Sequence, residues 1–177
     1  MRIISGSLKG RKFDSAKGHR THPMGDRIRG GLFNVLGDIE NLDVLDVYSG
    51  SGALAFEAIS RGAKSAVTIE AETNAQKAIL QNTKLLGLDH RIKSTQAFFA
   101  SWSKRNSEEH FDIVFADPPY DAILDKDMRL LPLHLKVGGV LILSWPGRRV
   151  AIELAGLDII RSKKYGDAQL VFYKKVS

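Results

Sequence analysis

From Asp43 onward the chain repeats one rhythm, a short apolar run, a turn and then a helix, and that rhythm limits the fold more than any other feature. Residues 44–47 (Val-Leu-Asp-Val) read as a short buried strand, followed by Tyr48-Ser49-Gly50-Ser51-Gly52 and a helix through about Arg61. Residues 65–69 form the next strand, ending at Glu70. Thr73 and Gln76 have the spacing of a capping box that opens a helix stopping near Gly87. A strand over 92–95 and a helix over 98–104 follow. The apolar run 111–116 then leads directly into Asp117-Pro118-Pro119-Tyr120. A helix near 125–135, a strand over 140–144 and two strands over 157–164 and 168–174, turning at Gly166-Asp167, complete the pattern. Parallel strands need crossover connections, so the expected architecture is an α/β sheet with helices on both faces.

The first 42 residues follow another logic. Residues 2–4 and 11–13 read as strands of a small hairpin joined near Lys9-Gly10, and 19–25 as a loop in which Pro23 extends the backbone at His22. Asp26 is placed to N-cap a helix whose apolar positions are Ile28, Leu32, Val35 and Leu36, with Gly30 and Gly31 weakening it. This division predicts a basic extension over 1–25 and a catalytic body over 26–177.

Charge supports the same division. Net charge is +6, and residues 1–31 hold Arg2, Lys9, Arg11, Lys12, Lys17, Arg20, Arg27 and Arg29 against only Asp14 and Asp26. Such a segment suits a polyanion, because cations gain affinity by releasing counterions from phosphates, although a solvated hairpin would look the same. Without cysteine the chain cannot use disulfides or thiolate catalysis, and no histidine pair has metal-ligand spacing, so no metal is expected. No apolar run approaches the roughly 20 residues of a membrane span, and Met1 to Gly6 does not read as an export signal. The expected setting is cytoplasmic, with no membrane partner.

Two turns carry the chemistry. The Asp46 to Gly52 turn follows the first sheet strand, at the edge where open α/β sheets bind ligands, and its glycines let backbone amides approach a cofactor. Ala55 replaces the third glycine of a dinucleotide fingerprint, so a tight strand-to-helix turn would read similarly. Glu70, ending the second strand, can accept hydrogen bonds from the ribose hydroxyls of an adenosyl group, and Glu72 competes for that role. In Asp117-Pro118-Pro119-Tyr120 the prolines stop the strand and stiffen the loop. The Asp117 carboxylate and Pro118 carbonyl then form two fixed acceptors, which match the two N–H donors of a base amine, and Tyr120 offers a face for stacking.

The Asp117 to Tyr120 segment resembles the fourth motif of amino-group nucleic-acid methyltransferases, and Asp46 to Gly52 their first. Taken with Met1 to Gly6, Lys9 to Lys12, Asp26 to Arg29, Leu32-Phe33-Asn34, Glu57-Ala58, Ser60 to Ala63, Asn82 and Tyr165-Gly166, the whole chain is similar to the 16S ribosomal RNA guanine-N2 methyltransferase family. That resemblance implies a single Rossmann-like class I methyltransferase domain with a mostly parallel seven-stranded sheet, an antiparallel C-terminal strand and an N-terminal hairpin. It implies S-adenosylmethionine as cofactor, held by Asp46, Tyr48, Ser49, Gly50, Ser51, Gly52, Glu70, Gln96 and Ala97. Asp117, Pro118, Pro119 and Tyr120 would be catalytic, and Arg2, Lys9, Arg11, Lys12, Arg20, His22, Arg27 and Arg29 would meet RNA. The implied target is guanine 966 of small-subunit RNA, in an assembling 30S particle, for a monomeric enzyme. This sequence departs from the family pattern at Gly30, at Gln96 in place of an aspartate, and at Ser144-Trp145 in place of an acidic residue. A DNA adenine-N6 methyltransferase and a non-catalytic RNA-binding module remain the alternatives.

Overall fold

The computed structural model describes residues 1–15 and 24–177; the expected loop around His19, Arg20 and His22 falls largely outside them. In chain order the elements are α1 (Asp26–Leu36), β1 (Asp43–Val47), α2 (Ala53–Ser60), β2 (Ser65–Glu70), α3 (Thr73–Leu86), β3 (Ile92–Gln96) and α4 (Phe99–Arg105). They continue with β4 (Phe111–Ala116), α5 (Asp125–Met128), a 3-10 turn (Leu131–His134), β5 (Leu135–Pro146), β6 (Leu157–Tyr165) and β7 (Ala168–Lys175). The seven strands form one sheet in the order β3-β2-β1-β4-β5-β7-β6. Strands β1 to β5 run parallel, and β7 lies antiparallel between β5 and β6. Strand order reverses between β1 and β4, which opens a crevice at their carboxyl ends where such sheets bind ligands.

Each face of the sheet is covered by its own apolar layer. One layer gathers Leu32 and Phe33 of α1, Phe56 and Ile59 of α2, and Ile79 and Leu86 of α3. The other gathers Phe99 and Trp102 of α4 with Met128, Leu131 and Leu154. All eight residues of α2 are buried, which explains its almost unbroken apolar sequence.

The N-terminal segment differs from the expected appendage. Its two expected segments do pair antiparallel, through the bridge between Arg2 and Lys12 and main-chain bonds from Ile3 to Arg11, Gly10 to Ile3 and Phe13 to Met1, and Ile3 and Phe13 are buried in the same layer as α1 and α2. Buried Glu57 accepts the amides of Ile4 at 2.8 Å and Ser5 at 3.0 Å. The Asn82 amide clamps Asp14 through both its amide and its carbonyl. Residues 1–15 therefore share the core of the body, and short local pairing suffices because side chains of α2 and α3 supply the remaining partners.

Three local expectations are corrected. Gly25, not Asp26, is the N-cap of α1, and Asp26 opens the helix paired with Arg2 and Arg29. Glu72 caps α3 by accepting the Ala75 amide at 2.7 Å, so Thr73 and Gln76 are not a capping box. The expected helix over 125–135 is only the single turn of α5 and the 3-10 turn, because Pro132 cannot donate to a continuing helix. Gly31 is explained by packing: a Cβ there would lie 2.4 Å from the Tyr165 hydroxyl. Gly30 has open space, with only Ile4 at 3.9 Å, so nothing in the packing requires a glycine there.

Candidate active site at the carboxyl edge

At the end of β1 the chain turns sharply. Tyr48 and Gly50 take positive φ, and Gly52 stands left-handed at the N-cap of α2. A Cβ on Gly52 would sit 2.8 Å from the Phe56 ring, so both the turn and the packing require glycine there. The Glu70 carboxylate crosses from β2 and accepts the Gly50 amide at 2.8 Å with one oxygen and the Glu72 amide at 2.8 Å with the other. Each oxygen keeps a second lone pair, so Glu70 can still accept hydroxyl donors from a ligand. Glu72 is occupied as the cap of α3, which separates the two competing glutamates.

The other cofactor candidates divide by direction. Asp46 is buried and accepts the Ala55 amide at 3.2 Å, and burial pushes its carboxyl up to about 8. The Ser49 hydroxyl is turned inward onto the carbonyls of Asp46 and Ile69. Both side chains brace the turn from behind. Ser51 is buried with its hydroxyl 3.2 Å from the Met1 sulfur, so the N-terminus closes over this turn. Tyr48 is half-buried, edge-on to Phe99, and burial raises its hydroxyl. Gln96 is exposed at the end of β3, where its amide nitrogen donates to Thr73 at 2.9 Å and leaves its oxygen available. Ala97 follows it, tied to the Glu70 carbonyl through its amide.

Next to this turn, β4 ends in the proline segment. The Asp117 amide reaches the Val47 carbonyl at 3.4 Å, which joins the ends of β4 and β1. Pro118 is buried, Pro119 exposed, and Asp117 and Tyr120 partly open to solvent. The Tyr120 hydroxyl lies 2.7 Å from the Ser144 hydroxyl. Burial raises the Asp117 carboxyl, against a lowering contact from Ser144. Burial likewise raises the Tyr120 hydroxyl. Asp117 and Glu70 also both push the Asp46 carboxyl upward, so three acidic groups share one neighbourhood. With Asp46 held in its protonated form, Glu70 and Asp117 are the acidic groups that can favour a cationic ligand.

Two residues at this edge were missed as site candidates. Ser144, noted only as a departure, joins Asp117 and Tyr120 because it lies in β5 one residue past Leu143, the partner of Ala116. Phe98 is 76% exposed just beyond Gln96, a large apolar side chain left uncovered at the carboxyl edge. A position two residues past the parallel strand β3 would have flagged Phe98. The hollows bounded by Leu36, Asp112 and Val140 and by Arg129, Leu157 and Tyr173 lie at the opposite edge, away from these groups.

The basic residues expected to meet RNA also separate. Lys9, Lys12 and Arg27 are exposed. Arg2 pairs with Asp26, and Arg11 donates to the Leu85 and Leu86 carbonyls, capping the C-terminal end of α3. Arg29 is fully buried, bonded to the Arg2 and Met24 carbonyls and facing Asp26 and Glu57, so it is a structural cation and not a phosphate ligand. A helical periodicity that puts Arg29 between Ile28 and Leu32 could not reveal that a buried carboxylate waited for it.

The family model described as conserved hypothetical protein 95 matches residues 1–174. The chain belongs to this family. Ribosomal RNA small subunit methyltransferase D of Buchnera aphidicola is 35% identical over 131 residues, covering 73% of this chain and 68% of that enzyme. The same-named enzyme of Escherichia coli K12 is 34% identical over 134 residues, 74% of this chain and 66% of its own length. A Bacillus subtilis protein provisionally named rRNA methyltransferase YlbH is 30% identical, with 99% of both chains covered. An Escherichia coli structure with the provisional name methyltransferase yhhF superposes with a TM-score of 0.86 at 28% identity, covering 99% of this chain and 98% of that one. The chain is thus a Rossmann-like methyltransferase, and S-adenosylmethionine is its cofactor. Its acidic neighbourhood fits the sulfonium charge, and Glu70, Gly50 and Gln96 offer the groups that would hold the adenosyl part.

Proposed function

We propose that this protein transfers a methyl group from S-adenosylmethionine to the exocyclic N2 of a guanine in small-subunit ribosomal RNA, guanine 966, in the cytoplasm. The observation that carries the reading is the Asp117 to Tyr120 segment fixed beside the Gly50–Glu70 turn. When bound, the cofactor supplies an electrophilic methyl on a sulfonium, so the protein's own work is to orient, desolvate and stack. Asp117 and the Pro118 carbonyl accept hydrogen bonds from the two N–H groups of the amine and turn its lone pair away from the ring. Asp117 then takes up the proton released as nitrogen gains the methyl. A carboxyl raised by burial is better suited to that last step than an ordinary one. Tyr120, fixed by Ser144, presents its ring to the extruded base. The names of its relatives, small subunit methyltransferase D, support ribosomal RNA as the substrate.

Mass spectrometry of nucleosides from small-subunit RNA of cells with and without this protein tests the reading. The expected result is loss of one N2-methylguanosine. An unchanged N2-methylguanosine content, with N6-methyladenine lost from DNA, would assign the site to the other amine.

A further inference from the structure

We infer that the C-terminal hairpin and the loop before it form a second RNA-gripping platform, one that holds phosphates flanking the nucleotide presented to Asp117. The inference rests on the proposed RNA methylation and adds where the substrate is held.

Residues 146–175 contain seven Lys and Arg against three carboxylates. Five of these cations, Arg148, Arg149, Arg161, Lys163 and Lys164, are exposed and make no ion pair among the described residues. Strand register places them relative to the chemistry. Ala116 pairs with Leu143, Ser144 with Leu170, and Leu170 with Lys163. Asp117, Ser144 and Lys163 thus lie along one band across the carboxyl edge. Three strand spacings make about 14 Å from Asp117 to Lys163. That is the rise of roughly four stacked nucleotides.

The arginine loop is also built to hold its shape. The buried Gln169 amide donates to the Pro146 carbonyl at 3.0 Å and the Arg149 carbonyl at 2.7 Å. The buried Trp145 indole donates to the Val150 carbonyl at 3.0 Å, and the Gly147 amide reaches the Asp167 carbonyl at 2.7 Å. These bonds fasten the loop to the β6–β7 turn while Arg148, Arg149 and the 91%-exposed Val150 face solvent. Lysines on β6 alone would be accounted for as protection of an edge strand. Edge protection does not account for two arginines on a separately clamped loop at the same end. Lys163 rests over the Tyr165 ring at 5.1 Å, and a cationic surface that makes no ion pair among the described residues, level with the acceptor segment, is complementary to a phosphate backbone.

The test compares wild type with Arg148→Ala/Arg149→Ala/Lys163→Ala/Lys164→Ala and with the charge-keeping Arg148→Lys/Arg149→Lys/Lys163→Arg/Lys164→Arg. RNA affinity over a salt series, KM for undermethylated small subunits and S-adenosylmethionine affinity by calorimetry are measured for each. The neutralised variant is expected to lose about tenfold or more in RNA affinity and KM, and its log–log salt slope should fall by about 2–3. Cofactor affinity should stay unchanged, and the charge-keeping variant should behave as wild type. Unchanged RNA affinity and slope in the neutralised variant would overturn the inference, as would equal loss in the charge-keeping variant. If wild type binds RNA through this surface yet makes no N2-methylguanosine, the proposed target fails and the platform stands.

Discussion

The two halves of the carboxyl edge are held in different ways. Around β1 and β2, main-chain amides close on a carboxylate, Gly50 and Glu72 onto Glu70, with Asp46 and Ser49 bracing the turn from inside. Around β4 and β5, two prolines and a side-chain contact between Tyr120 and Ser144 do that work. The first half suits a small ligand of constant shape, because backbone groups cannot vary with side-chain identity. The second rests on side chains, so it can vary with the base it receives. The halves meet where the Asp117 amide reaches the Val47 carbonyl, so they should be separable by mutation while remaining adjacent in space.

The largest expected effect comes from breaking the acceptor half. Asp117→Ala should lower the methyl-transfer rate by about 10²–10³-fold or more, with cofactor affinity preserved in calorimetry. An equal loss of affinity would show that the halves are not separate. In wild type the rate should fall toward acid from a pH above the ordinary carboxylate range, because burial raises Asp117 and the required carboxylate is lost on protonation. Glu70→Ala breaks the other half. It removes a charged acceptor and releases two amides, and should weaken S-adenosylmethionine binding about 10–100-fold in the same calorimetry.

Asp46 sharpens the comparison through stability. Its folded carboxyl stands at about 8, above its unfolded value, so the folded protein holds a proton that the unfolded chain releases. The associated stability is present below about pH 4 and is lost as pH rises through about 8. Asp46→Asn should flatten that decline. Between pH 5 and pH 8 wild type should lose up to about 4 kcal/mol more than the variant in urea unfolding without cofactor. A parallel decline in both proteins would contradict the account of the turn. Tyr120→Phe should have the smallest effect: it keeps the stacking face, loses the Ser144 contact, and should slow methylation less than about tenfold.

Much of this was legible in the sequence because local chemistry decided it. The run from Phe111 to Ala116 is a strand with the bounds its composition suggested, and Gly87 stops α3 in a left-handed cap. Both glycines of the Gly50–Gly52 turn have positive φ, as a close-approach turn requires. What the sequence hid depended on partners distant along the chain. Arg29 looked like one more cation in a basic segment, yet it is buried against a carboxylate 28 positions later. Arg11 is likewise taken up at the end of α3. Conversely, Arg148 and Lys163 attracted no notice, because only the register of β5, β7 and β6 brings Lys163 level with Asp117, and only the Gln169 and Gly147 bonds hold the Arg148 loop at that end. Composition counts charges, but the fold decides which of them remain free.

The most direct measurement is a structure of the protein with S-adenosylhomocysteine and an RNA fragment holding the target guanine. The account predicts the guanine N2 within about 3.2 Å of both the Asp117 carboxylate and the Pro118 carbonyl, on the side facing the cofactor sulfur. An amine bound by other groups, with that carboxylate turned to solvent, would contradict it.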